Sequence, residues 1–140
     1  MTMHTILSQT ATEHMCTSAV IIRDGMVLLG LRHYKPDKWK TISVWTTPGG
    51  RCDSGETVEV SMRREVAEET GIIGFDIEQF LGEVPGAKDG DTLLVFLCTT
   101  EQEPQLMEPE KFSEWKWFPL PEIPQNFINK HVRKMIANLP

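Results

Sequence analysis

An α/β fold is what this chain of 140 residues predicts, on three observations. Apolar, β-leaning runs at 16–22, 26–31 and 92–100 read as strands of one sheet. Residues 58–70 read as a helix with both ends marked, and 126–139 repeats apolar residues at helical spacing near the C-terminus. The length suits a single domain, 1–140, with one sizeable core and no room for a second.

The first two runs are joined across Arg23-Asp24-Gly25, where Asp-Gly supplies the positive φ that a tight hairpin needs. Residues 32–40 are basic, aromatic and interrupted by Pro36, which reads as a surface loop. A short strand follows around 43–46, and Pro48-Gly49-Gly50 then forces a turn whose backbone can approach a ligand closely. Thr57 is placed to cap the helix over 58–70, and Gly71 stands just beyond its end. Next, 73–84 and 92–100 read as two long strands around a Pro85-Gly86 turn, with 93–98 apolar enough for the centre of a sheet. The polar stretch 101–112 reads as a loop, 115–118 as an edge strand and 119–124 as an extended bend. In the closing helix, Phe127, Ile128, Val132, Met135, Ile136 and Leu139 are the apolar positions.

A net charge of −6 argues against broad binding to nucleic-acid polymers or anionic membranes, although phosphates could still be held through a metal. Cys16, Cys52 and Cys98 are scattered, with no Cys-x-x-Cys pair and no histidine pair at zinc spacing, which suits reduced thiols. No leader pattern opens the chain, and no stretch approaches the roughly 20 apolar residues of a membrane span. A soluble, unprocessed, cytoplasmic protein is expected.

The most informative segment is 50–72, where a glycine-containing loop with Glu56 leads into a helix carrying Arg64, Glu65, Glu68 and Glu69. The last three acids crowd one arc of that helix. Like charges at i and i+4 cost a few tenths of a kcal/mol even in water, and more where Val58, Met62 and Val66 draw the face toward a core. A cation must offset this, and hard oxygen donors at such spacing suit Mg²⁺ or Mn²⁺. Most charge runs are solvated helix faces, and Glu59 with Arg63 reads as an ordinary surface pair of that kind. The loop glycines and Glu56 at fixed distance set the other acids apart.

Written as a pattern, Gly50-x5-Glu56-x7-Arg64-Glu65-Val66-x-Glu68-Glu69-x-Gly71-Ile72 resembles the Nudix box, with every fixed position filled. The flanking order of strands and helices is similar to the Nudix α/β/α sandwich with a mixed β-sheet. That resemblance implies a hydrolase that cleaves a diphosphate linkage in a nucleoside diphosphate joined to another group, using water and divalent metal. It implies metal ligation by Glu65 and Glu69, with Glu68 as a ligand or water-positioning base and the Gly49 carbonyl as a further contact. Arg64 would orient Glu65 through a bidentate bond, and Glu56 would anchor the loop to the helix or reach metal through water. Members often recruit one more acid from a later loop, which implies Glu110, with Glu108 in reserve; either could equally be a solvated loop acid.

For the substrate, Arg32 could contact a phosphate or be a free surface arginine, and Trp39 could stack on a base. Trp45, Trp115 and Trp117 read as core or sheet-face residues. Asn126 lies where some members read a purine edge, although capping a helix is the commoner role for such an asparagine. His33 and His131 have no partner pattern. Segment 108–118, followed by Pro-Leu-Pro-Glu-Ile-Pro, is similar to the MutT-type nucleoside triphosphate pyrophosphohydrolases. A marker proline of many ADP-ribose hydrolases is replaced here by Lys88. The leading expectation is therefore conversion of a (deoxy)nucleoside triphosphate to monophosphate and pyrophosphate. The alternatives are a pyrophosphatase of ADP-ribose or another nucleotide sugar, and a non-catalytic nucleotide-binding protein. The expected partner is a small nucleotide, and the expected assembly a monomer or homodimer.

Overall fold

The computed structural model describes residues 2–37 and 40–139. A short helix, α1 (Met3–Ser8), precedes β1 (Met15–Arg23), β2 (Met26–Asp37), β3 (Lys40–Thr46) and β4 (Gly49–Arg51). The main helix α2 (Val58–Thr70) follows, then β5 (Phe75–Pro85), β6 (Thr92–Thr100), β7 (Phe112–Pro119), a 3-10 turn (Leu120–Glu122) and α3 (Lys130–Ala137). The sheet runs β3-β2-β1-β6-β5, with β4 added on β1 and β7 on β2. β1 and β6 are parallel and the other pairs antiparallel, so the sheet is mixed and lies between helices on both faces, as expected.

Alternation along the central strands builds two cores. Ala19, Ile21, Leu28, Leu94 and Phe96 pack with Val58, Met62 and Val66 of α2 and with Ile6 and Leu7 of α1. Val20, Val27, Leu29 and Val95 face the other way, onto Val132 and Ile136 of α3. A strand covered on both faces has no polar side to present, which is why these segments read as continuous apolar runs. Trp45 lies 4.7 Å from Phe118 on the α3 side, and Trp115 and Trp117 pack against the α2 side.

The Asp24-Gly25 turn has positive φ at both residues, 53° and 75°, as a tight hairpin requires. Yet β1 and β2 pair only at Ile22 with Val27 and Arg23 with Met26. Beyond that tip they part: β1 takes β6 and the short β4 as neighbours, and β2 takes β3 and β7. The splay leaves a cleft at the start of β1.

Two expectations need correction, and one short helix went unanticipated. Residues 32–37 are not loop but the continuation of β2, pairing Arg32 with Val44 and His33 with Ser43; the register shift between Tyr34 and Asp37 falls where Pro36 cannot donate to the ladder. The closing helix begins at Lys130 and is capped by Asn129, while Asn126 stays in extended chain beside β3. Helix α1 carries only two buried residues, Ile6 and Leu7, too few to show as periodicity. Among the described residues, no helix is long and apolar enough to cross a membrane.

The ends of α2 match the sequence reading: Thr57 Oγ1 accepts from the Val60 amide at 3.1 Å, and Gly71 closes the helix at φ 74°. Thr57→Ala is expected to lower stability by about 1 kcal/mol in urea unfolding, the usual cost of losing such a cap.

Candidate active site

Glu69 sits on the buried stripe of α2 with Val58, Met62 and Val66, and only 4% of it is exposed. Its Oε1 accepts a hydrogen bond from the Gly49 amide at 2.8 Å. That contact explains the Gly49-Gly50 pair. Gly49 has φ 135°, and a Cβ there would stand 2.2 Å from the Thr17 carbonyl oxygen; a Cβ on Gly50 would meet the Glu65 carboxylate at 2.9 Å. Only glycines let β4 pass between β1 and the acidic face of α2.

Around Glu69 exposure is graded: the Glu65 side chain is 20% exposed and that of Glu68 49%. Arg64 ties the outer acids together. Its strongest partner is Glu56, through Nη2 at 3.0 Å and Nε at 3.2 Å and 3.3 Å to the two oxygens, while Glu65 and Glu68 each take one contact from Nη1 at 3.3 Å. The expected bidentate bond to Glu65 is therefore corrected: the guanidinium fork spans Glu56, which lies across the loop from it, whereas the adjacent Glu65 is reached by one nitrogen only. Glu56 also accepts from Ser61 Oγ at 2.8 Å and lies well below the usual carboxylate range, chiefly through Arg64. It anchors the loop to the helix, as anticipated.

From the later loop the structure brings Glu108 rather than Glu110. Glu108 is close enough to raise the affinity of Glu69 for its proton, and it pairs with Lys111 at 3.4 Å; Glu110 is exposed. Phe112 and Lys111 amides both bond the Glu108 carbonyl, and this turn sets which acid points inward. Arg32 also bears on the site, lining the cleft, easing the charge on Glu69 and standing 5.4 Å over Phe112.

The cleft beside these acids has a volume of about 520 Å³. Its floor is Cys16, Thr17 and Ser18 of β1; Thr46 and Thr47 form one wall, Pro85 to Ala87 another, and Phe127 to Val132 the third. Ser18 Oγ and Thr47 Oγ1 are hydrogen-bonded at 2.6 Å in that floor. Asn126 does not line it, since its side chain donates to the Ser43 carbonyl at 3.4 Å. Asn129 does, and sequence reasoning missed it: it caps α3 and donates to the Pro85 carbonyl at 3.2 Å. Trp39 lies outside the described residues.

The donor set, all carboxylate and carbonyl oxygen, fits a hard divalent cation. Among the described residues no three acidic, histidine or cysteine side chains converge on one point as they lie, because Glu65 and Glu68 lean on Arg64 and Glu69 on Gly49. Holding an ion requires those flexible side chains to leave these partners.

Burial pushes the Glu69 carboxyl up to about 8, against the Gly49 bond and with the help of Glu65; burial raises Glu65 as well. Between the ordinary value of 4.5 and about 8, folded Glu69 holds a proton that the unfolded chain has released. The folded state binds more protons there, so stability falls as pH rises through that window. Glu56 and Asp91, both shifted down, lose their contributions only at lower pH. Metal-free protein is therefore expected to unfold at progressively lower urea as pH rises from about 5 to about 8, and Glu69→Gln should flatten that slope.

Known proteins share this fold and sequence pattern. The NUDIX domain family model matches residues 12–139. An NAD-capped RNA hydrolase NudC of Haemophilus influenzae is 32% identical over 117 residues, covering 78% of this chain and 42% of that protein. This chain thus spans less than half of that relative. An oxidized purine nucleoside triphosphate hydrolase of Danio rerio is 29% identical over 117 residues, covering 81% of this chain and 70% of the other. The crystal structure of a MutT NUDIX hydrolase from Burkholderia pseudomallei superposes with TM-score 0.67 at 28% identity, covering 90% of this chain and 97% of that one. With box, sheet order and family match coinciding over nearly its whole length, the chain belongs to the Nudix family.

Proposed function

We propose that this chain is a divalent-metal-dependent pyrophosphohydrolase that converts a (deoxy)nucleoside triphosphate and water to the monophosphate and pyrophosphate. The observation that carries the reading is the juxtaposition of buried Glu69, backed by Glu65, Glu68 and Glu108, with a cleft of nucleoside size. Solvated acids would have no reason to be sunk against a backbone amide at the mouth of such a cleft.

Glu65, Glu68, Glu69 and the Gly49 carbonyl would hold the metal, with Glu108 added from the later loop. When bound, Mg²⁺ or Mn²⁺ would neutralise phosphate charge and acidify an attacking water. The chain's own groups do the rest. Glu68, the most exposed of the three box acids, would position or deprotonate the water where it is not itself a ligand. Arg64, anchored on Glu56, would stay beside Glu65 and Glu68 as they turn to the metal, and Arg32 would bear on the phosphate end of the cleft. The nucleoside would rest between Phe127 and Leu93 over the Ser18–Thr47 floor, with the Asn129 side chain beside it. The similarity to the Danio rerio hydrolase, which spans most of that protein, supports a nucleoside triphosphate.

Purified protein with Mg²⁺ should release pyrophosphate and monophosphate from nucleoside triphosphates, oxidised or normal, in a panel that also holds ADP-ribose and NAD-capped RNA. Ribose phosphate from ADP-ribose as the dominant product would move the assignment to nucleotide sugars, and no release from any compound would make the chain a binder. Glu69→Gln is expected to lower kcat by about 10³-fold with an unchanged circular dichroism spectrum; near-normal turnover in that variant would overturn the metal assignment.

A further inference from the structure

Arg51 ends β4 one residue after Gly50, at a position where the Nudix pattern asks for no particular side chain. Its guanidinium grips Asp91 with both arms, Nη2 to Oδ2 at 2.7 Å and Nη1 to Oδ1 at 3.2 Å, and Nη1 also donates to the Glu13 carbonyl at 2.6 Å. The Asp91 side chain is only 3% exposed, although it stands on the turn between β5 and β6. His14 approaches the same carboxylate at 3.8 Å. An acid so covered is held charged by Arg51, and its proton affinity is correspondingly low.

Asp91 in turn holds the start of that turn. Its carbonyl accepts the Gly86 amide at 2.9 Å, its own amide donates to Lys88, and a Cβ on Gly86 would lie 2.7 Å from the Asp91 Cβ. Pro85, Gly86 and Ala87 are a wall of the cleft. Unbroken contacts therefore run from Glu69 through Gly49 and along β4 to Arg51, then through Asp91 to Gly86. Asn129 pins the same wall from α3 through Pro85.

We infer that the Arg51–Asp91 pair is a brace that fixes the Pro85–Gly86–Ala87 wall against the glycine strand of the box, making both positioning residues for the nucleoside half of the substrate. This rests on the nucleotide reading above for its effect on catalysis, but not for its mechanics. A fork on a carboxylate fixes distance and angle together, which a single lysine nitrogen cannot do.

The test compares Asp91→Asn and Arg51→Lys with wild type by amide hydrogen exchange without ligand, and by kinetics with Mg²⁺ and dGTP or ADP-ribose as probes. In Asp91→Asn, exchange over 86–92 is expected to quicken by about tenfold or more while α2 is unchanged. KM for the hydrolysed probe should rise by about tenfold with kcat within about twofold. Arg51→Lys, which keeps the charge and the fold, should fall between wild type and Asp91→Asn. Unaltered exchange over 86–92 in both variants overturns the brace, as does a fall in kcat at constant KM. If wild type hydrolyses neither probe, the functional reading fails on that ground alone, and exchange still decides the brace.

Discussion

A carboxylate seated in a protein core is costly unless something compensates it, and much of this molecule is arranged around one such group. Glu69 occupies the same stripe of α2 as Val58, Met62 and Val66, and the Gly49 amide donates to it. For that amide to arrive, β4 must run between β1 and the helix, and for β4 to fit there two successive residues must lack a Cβ. The loop that follows must then return to the N-terminus of α2. It is held there by Glu56, whose carboxylate meets Arg64 and Ser61, and by the segment after α1, where Ala11 bonds the loop backbone and Gln9 accepts from the first amide of α2.

The charge arrangement is lopsided in a way that suits a ligand. Arg64 is committed to the outer acids, leaving the innermost one with a raised proton affinity that burial causes and Glu65 and Glu108 reinforce. Without a further cation the site settles the conflict by holding a proton on Glu69. Beside it the hairpin splays, because β1 and β2 each pair with other strands beyond Ile22 and Val27. The space so opened is where distant segments meet: the start of β1, the end of β3, the β5–β6 turn and the approach to α3.

Local chemistry made part of this legible in one dimension. Thr57 and Gly71 frame α2 by capping geometry alone, Asp24-Gly25 makes its turn through backbone preference, and the box acids stand together because 3.6 residues per turn puts them there. Apolar runs marked β1, β2 and β6 because a strand buried on both faces must be apolar throughout. By contrast, residues 32–37 look like loop on composition; pairing with β3, invisible in the run itself, makes them strand.

The sequence by itself determined the acidic helix, its ends and the glycine turn that meets it, since each depends on neighbours within a turn or two. Tertiary structure alone decided that Glu108 rather than Glu110 joins Glu69, that Asn129 rather than Asn126 caps α3 and borders the cleft, and that Arg51 reaches Asp91. Those outcomes hang on where loops and strand ends far apart in the chain come to rest. A shift of one or two residues in such a segment exchanges an inward side chain for an outward one without altering any local pattern.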